Sequence, residues 1–495
     1  MDVPRRCTEA GVSEEASALR RKAGAGARWT STSALTAAGL EFVQLAILAR
    51  LLTPQDFGVY ALLALVVGLG LSYTDLGLSA AIVQRQDLEP AHLSSMFWAN
   101  LATGAALLGC ASLLAPLAAD LLAQPQIADL LPLAAFTLLV APVSQQYAAL
   151  LQKSLRFRAL AVGDMLAVVA GAAVSLSLAA TGHGVRSMVW GLLVNSVARA
   201  FALSLAGMAI WRPAPHFAAS DLRSYAGFGV YQMGERTVNY AGFNLDRLLI
   251  GGLIDAYALG LYSVASQIVM KPIQTFGPVV ARVMLPVFAI VQEDDARLRS
   301  GFLDGVRAIA LVLFPLYAAI IPLAEPLVRL LLGERWTAAA PVLQFLALLG
   351  FFYSVGYPIG ALLLAKGKVR IGFFLNLWII VLYASAILAG AHWGVGGVAA
   401  ALVVATAVGL FPIGFWVRWR LIGMRPAEYL MALAPALASA TAMGVMVLIL
   451  RDLLAPFDSA AAELAILLPA AVMFYLLLVV PSQRTFLGRL WAILR

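Results

Sequence analysis

Polar side chains recur at helical spacing inside long apolar stretches of this 495-residue chain. Between residues 256 and 290, Ser263, Gln267, Lys271, Gln274, Pro278 and Arg282 follow at steps of four, four, three, four and four. At about 100° per residue they share an arc of roughly 100°. Between 224 and 250, Gln232, Glu235, Arg236, Asn239, Asp246 and Arg247 fall within an arc of about 120°. Two earlier stretches are polar in the same manner: Ser33, Glu41 and Gln44, ending at Arg50, then Gly68, Ser72, Asp75 and Ser79. Lys271 and Arg282 have no acidic neighbour in sequence, which points to a wet cavity or an anionic ligand as their partner. The other charges admit plainer readings. Arg50 and Arg247 lie near stretch ends and can snorkel to an interface, while Glu235 beside Arg236 and Asp246 beside Arg247 can neutralise one another locally.

The elements that carry these residues are membrane spans. The chain is 62% hydrophobic and 12% charged with a mean hydropathy of +0.89, far from soluble composition, where about a quarter of residues are charged. A spanning helix needs about 20 mostly apolar residues. Fourteen such stretches are expected, near 29–52, 57–80, 93–118, 127–150, 159–181, 186–210, 224–250, 256–290, 302–324, 338–364, 369–390, 395–418, 428–450 and 460–480. The eighth is too long for a straight crossing, so Pro272, Pro278 and Pro286 are expected to bend it. Asp164 is the main intramembrane charge outside the four polar stretches.

The net charge of +8 is a matter of topology rather than of nucleic-acid binding. Lys153, Arg156, Arg158, Lys366, Lys368, Arg370, Arg418, Arg420 and Arg425 gather, with the basic N-terminal tail, on one side; the other side holds only Arg186, Arg329, Arg335 and Arg451. This asymmetry places both termini in the cytoplasm. The first long apolar stretch is too long for a signal-peptide core and is read as a retained span. Cys7 and Cys110 imply no disulfide framework. His92, His183, His216 and His392 lie on separate connections and imply no metal site. No phosphate-binding loop of Gly-x-x-x-x-Gly-Lys-Ser/Thr type occurs. With connections mostly under about 15 residues, neither ATP hydrolysis nor other enzyme activity is expected, and no cofactor.

The chain is also doubled. Asp56-Phe-Gly-Val-Tyr-Ala is echoed by Ala258-Leu-Gly-Leu-Tyr-Ser, so Gly58 answers Gly260 and Tyr60 answers Tyr262. Leu93 pairs with Leu298, Pro132 with Pro341, Arg158 with Arg370, and Gly184-Val185 with Gly394-Val395, all at offsets of 202 to 212. The polar stretches open each copy, as expected of transporter repeats whose site lies between them. The expected organisation is a cytoplasmic tail (1–28), an N-lobe (29–212), a C-lobe (213–420), and two further helices with a cytoplasmic C-terminus (421–495). An even number of spans per copy relates the lobes by an axis along the membrane normal.

Several of these segments resemble the bacterial polysaccharide flippases, the Wzx/PST branch of the MOP superfamily. Leu51-Leu-Thr-Pro-Gln-Asp-Phe-Gly-Val-Tyr resembles that family's first loop, and Asp75-Leu-Gly-Leu-Ser-Ala-Ala-Ile-Val-Gln-Arg its second helix end. Leu151-Gln-Lys-Ser-Leu-Arg-Phe-Arg is similar to its basic loop after helix four. Asn244-Leu-Asp-Arg-Leu-Leu-Ile-Gly, Ala258-Leu-Gly-Leu-Tyr-Ser-Val-Ala and Ala324-Glu-Pro-Leu-Val-Arg-Leu-Leu-Leu-Gly-Glu-Arg-Trp resemble its second half. The resemblance covers roughly residues 30 to 420. It implies an all-α, fourteen-helix fold with two six-helix lobes around a central cavity lined by helices one, two, seven and eight, plus two C-terminal helices.

It further implies an inner-membrane flippase that moves a polyprenyl-diphosphate-linked oligosaccharide between leaflets by alternating access, beside a polysaccharide polymerase and export machinery. For that substrate, Arg236, Lys271 and Arg282, then Arg50 and Arg247, are the expected diphosphate contacts. Gln44, Gln232, Asn239, Gln267 and Gln274 are the expected sugar contacts. Glu41, Asp75, Glu235 and Asp246 are the candidates for coupling to protons or sodium, with simple pairing to the arginines as the competing role. A multidrug exporter of the same superfamily would favour an acidic cavity, and a lipid II flippase would share the basic one. A non-transporting scaffold would not need polar stripes.

Overall fold

The structure, a computed structural model, describes residues 32–33, 35–75, 78–84, 89–453, 459–484, 486 and 488. For residues 80–81, 84, 223–235, 238, 279, 281–283, 285–287 and 369 the backbone alone is described. Among the described residues the chain is helical throughout its ordered elements, with no strand. Hydrocarbon offers the backbone no hydrogen-bond partner, so a chain this apolar must satisfy its amides internally.

The helices are α1 (35–51), α2 (Pro54–Tyr73), α3 (Leu78–Gln84), α4 (Pro90–Leu121), α5 (Gln126–Lys153), α6 (Phe157–Ala180), α7 (Val185–Gly207), α8 (Ala219–Leu253) and α9 (Ala256–Ile290). They continue with α10 (Asp295–Leu331), α11 (Ala339–Gly356), α12 (Ile359–Ala365), α13 (Val369–Gly390), α14 (Gly394–Val404), α15 (Phe411–Ile422), α16 (Pro426–Leu453) and α17 (Ala460–Ser482). Ten described segments are long and apolar enough to cross a bilayer by length and composition. Fourteen spans are not confirmed by that measure. One of the ten covers Arg370 to Ile422, joining two expected spans through a 3-10 turn at Ala391–Trp393, with a π-helical turn at Ala405–Leu410 inside the second. α9 stays a single 35-residue helix past its three prolines.

Helix starts follow local chemistry, and they repeat. Thr53 and Asp56 cap α2 reciprocally: the Thr53 amide donates to Asp56 Oδ2 at 2.9 Å, and the Asp56 amide donates to Thr53 Oγ1 at 3.3 Å. At the same offset as Gly58 and Gly260, Asp255 caps α9 by accepting the Ala258 amide at 2.6 Å. Gly184 before α7 and Gly394 opening α14 hold φ of 55° and 71° with ψ of −140° and −166°, a region open essentially to glycine. The matched pairs therefore do matching structural work.

The helices form two compact units. The first takes the described residues up to Leu52 and Leu62–Ala241; the second takes Thr53–Ala61 and everything described from Gly242 onward. α2 and α8 each contribute to both. In the first unit α4 packs on α5, α5 on α7, and α6 on α7. Gly163, Ala167, Gly171 and Ser175 recur every four residues on α6, and a Cβ on Gly171 would sit 2.8 Å from the Gly191 carbonyl oxygen. Small residues thus let the two backbones close without side chains between them. In the second unit, α10 packs on α9, α11, α16 and α17 around Phe288, Phe302, Phe314 and Tyr429. The two C-terminal helices are therefore part of that unit's core.

Candidate functional site

Asp75, in the turn just after α2, is a buried carboxylate whose Oδ1 accepts the Ser79 amide at 2.9 Å. Arg236 on α8 reaches it from 161 residues away, donating through Nη2 to Oδ2 at 3.3 Å and through Nη1 to the Ser72 carbonyl at 3.4 Å. The same face of α8 holds α2 twice more. The Tyr73 hydroxyl hydrogen-bonds Thr237, and the Tyr240 hydroxyl donates to the Leu65 carbonyl at 2.8 Å. A Cβ on Gly68 would lie 2.3 Å from that hydroxyl oxygen, so the glycine makes room for the contact. Tyr240 lies one turn from both Arg236 (i, i+4) and Thr237 (i, i+3), so the three share one side of the helix. A diphosphate contact and a coupling candidate of the sequence reading thus form one ion pair inside the first unit.

Also in that unit, Gln44 on α1 donates through Nε2 to Ser175 Oγ on α6 at 2.9 Å. Asn239 is half-buried, and Glu41 and Arg50 are exposed. Asp164 is met by Arg199 of α7 at 2.7 Å, so the intramembrane charge outside the four polar stretches is answered across the α6–α7 contact.

In the second unit Asp246 takes the Tyr262 hydroxyl on Oδ2 at 2.7 Å and the Arg247 amide on Oδ1 at 2.8 Å. The Arg247 guanidinium turns instead to Asn244 Oδ1 at 3.2 Å. Neighbouring charges in sequence therefore do not pair through their side chains here. The Tyr383 hydroxyl bonds Thr406 Oγ1 at 2.9 Å. Lys271 is half-buried, while Gln267 and Gln274 are exposed; Gln267 donates to its own helix at the Ser263 carbonyl at 3.2 Å. The side chains of Gln232, Glu235 and Arg282 lie outside the described residues.

The tyrosines and their hydroxyl partners carry little signal of these contacts in the sequence. Tyr73, Tyr240 and Tyr262 are apolar enough to pass as span residues, and only their spacing against polar neighbours on the facing helix would have marked them. Two histidines that lie on separate connections in sequence converge on one carboxylate. His216 reaches Asp221 at 3.2 Å, Ser95 donates to the same carboxylate oxygen at 2.6 Å, and His92 is near enough to act on it electrostatically. Among the described residues no group of three metal-binding side chains forms.

This architecture has known counterparts. A family model described as "Polysaccharide biosynthesis protein" matches residues 47–341, more than half of the chain. The lipopolysaccharide biosynthesis protein WzxC of Escherichia coli is 31% identical over 372 residues, 75% of this chain and 76% of that protein. The teichuronic acid biosynthesis protein TuaB of Bacillus subtilis is 29% identical over 462 residues, 92% of this chain and 95% of that one. Among solved structures, the lipid II flippase MurJ in an inward closed conformation superimposes with a TM-score of 0.74 at 15% identity, covering 92% of this chain and 99% of MurJ. That likeness is one of fold. From the sequence match, the chain belongs to the polysaccharide biosynthesis protein family.

Proposed function

We propose that the protein moves polyprenyl-diphosphate-linked oligosaccharide repeat units from the cytoplasmic to the periplasmic leaflet of the bacterial inner membrane, by alternating access, with both termini in the cytoplasm. The observation that carries this reading is the family match over residues 47–341, in a chain whose spans hold cations such as Arg236 and Lys271. In a bilayer such cations are costly unless they serve a site or have partners. Arg236, Lys271 and Arg282, with Arg50 and Arg247, would meet the diphosphate. Gln44, Gln232, Asn239, Gln267 and Gln274 would meet sugar hydroxyls. The prenyl tail stays in lipid, since each CH₂ drawn into water would cost about 0.8 kcal/mol. Polymerase and export proteins would act on the product.

The Arg236–Asp75 pair supports a way to couple transport to an ion. Arg236 can serve a phosphate fully only when Asp75 gives it up, and a proton on Asp75 removes the attraction that holds it. Protonation and phosphate capture would then assist one another. Glu41, Glu235 and Asp246 remain as further proton or sodium sites. No cofactor enters this scheme, and no bond is made or broken.

The test is accumulation and flux. A deletion strain should accumulate cytoplasm-facing lipid-linked oligosaccharide, identified by mass spectrometry, and the wild-type gene should clear it. K271Q at normal abundance should leave most of the accumulation in place. Full clearance by K271Q together with R236Q would remove both from the diphosphate site. Flux in vesicles that ignores every imposed proton and sodium gradient would end the coupling scheme.

A further inference from the structure

We propose that the lipid-facing groove between α6 and α7 binds an anionic glycerophospholipid of the leaflet on the Arg156 side, with the phosphate on Arg156 and Arg158. The groove measures about 680 Å³ and is lined at one end by these two arginines and then by Val162, Leu166, Phe201 and Leu205. All four apolar residues are 45% to 65% exposed. A volume of that size is in the range that holds a small organic ligand.

Local structure explains why cations stand at the mouth. α5 ends in a turn whose central residue, Leu155, has φ of 56°, and the Arg156 amide closes it by donating to the Leu151 carbonyl at 2.8 Å. The chain is thereby reversed in three residues, and Arg156 becomes the N-cap of α6 with no side-chain cap on the helix. The first turn of a 24-residue helix adds its own partial positive charge to the two guanidiniums. The groove floor is formed where Gly163 lets α6 close on Leu203, since a Cβ there would lie 2.6 Å from a Leu203 methyl carbon.

Length selects the occupant. From Arg158 to Leu166 the helix rises about 12 Å, close to the roughly 15 Å half-thickness of a bilayer's hydrocarbon. The groove therefore follows an acyl chain through one leaflet and stops. Charge selects the headgroup, because paired arginines present forks that match phosphate oxygens. A zwitterionic lipid offers the same phosphate but carries a cation that the arginines repel. This site is separate from the polar stripes of α2, α8 and α9, and the inference does not rest on what the protein transports.

Nanodiscs holding equal amounts of phosphatidylglycerol and phosphatidylethanolamine with identical acyl chains provide the test. Native mass spectrometry of the released protein should show phosphatidylglycerol retained preferentially. R156Q/R158Q should weaken that preference about 30-fold, while R297Q, at an exposed arginine paired with Asp294, should leave it intact. L205W, which fills the groove and keeps both guanidiniums, should also reduce retention. Equal retention of the two lipids by the wild type, or a preference untouched by R156Q/R158Q, would overturn the proposal. Displacement of the lipid by inorganic phosphate, or full retention in L205W, would equally overturn it by showing that surface charge suffices. If the double variant fails to elute as a monodisperse peak, R156Q alone should show a partial loss, and none would count against the site.

Discussion

Gly58 and Gly260, the matched glycines of the duplicated phrase, pack against each other's helices at backbone contact. A Cβ on Gly58 would lie 1.6 Å from the Ala256 carbonyl oxygen, and one on Gly260 would lie 1.8 Å from the Pro54 carbonyl oxygen. The two copies of one motif thus cross through the absence of their side chains, in a reciprocal contact. Neither helix can yield locally, because the obstructing atoms are backbone. G58A and G260A should each destabilise the protein by about 3 kcal/mol or more. Thermal unfolding in detergent checks this, and midpoints within a degree or two of wild type would contradict the crossing.

The Arg236–Asp75 pair predicts a non-additive pattern. R236Q leaves Asp75 buried with its Ser79 amide as the remaining contact, and should cost about 1–3 kcal/mol, lowered by the one-third exposure of Arg236. D75N/R236Q should cost less than the sum of the single variants. A double-mutant cycle by denaturant unfolding measures the coupling, and additivity would mean the pair contributes nothing.

Asp221 gives a pH dependence outside the spans. The Ser95 hydroxyl holds its carboxyl below the ordinary carboxylate value, helped by the hydrogen bond from His216 and the charges of His92 and His216, and opposed by desolvation. A depressed value in the folded state means that the carboxylate stabilises the fold above its ordinary pKa and loses that effect as pH falls through the folded value. The gap in thermal midpoint between wild type and D221N should shrink below about pH 4. The linker from α7 to α8 should loosen with it, since Ser95 also accepts the Ala218 amide at 3.1 Å and Trp98 donates to the Ala214 carbonyl at 2.8 Å. Hydrogen exchange over residues 208–221 reports that change directly.

Arg451 ties the last two helices to α10. It contacts Glu463 of α17 at 2.9 Å, Glu325 of α10 at 3.1 Å and the Pro322 carbonyl at 3.1 Å, while Arg329 holds Glu325 at 2.9 Å. R451A should cost about 1–3 kcal/mol, because Glu463 is left mostly buried without its cation. The loss should concentrate in α16 and α17 by hydrogen exchange. Uniform exchange changes across the chain would show that the network does not act there.

Much of the fold could be read from residues 29 to 480 because a bilayer constrains sequence severely. Length and apolar content mark a span, and glycines such as Gly184 and Gly394 mark the turns that only they can make. What could not be read is who meets whom. Asp246 and Arg247 are neighbours in sequence, yet one takes Tyr262 and the other Asn244. Asp164 has its partner, Arg199, on the next helix, and the phrase around Gly58 carries no sign that its own repeat is its packing partner.

The sequence by itself determined the class of this protein, its doubling and the faces on which polarity enters the membrane. Those properties follow from helical periodicity and from the cost of unsatisfied polar groups in hydrocarbon, which act within one helix at a time. Tertiary structure decided that Arg236 belongs with Asp75, that Gln44 reaches Ser175, and that His92 and His216 attend Asp221. Those pairings depend on how one helix is rotated and displaced against another. That geometry is set by backbone approach at small residues such as Gly58, Gly68, Gly171 and Gly260, and it leaves no local pattern in the residues it joins.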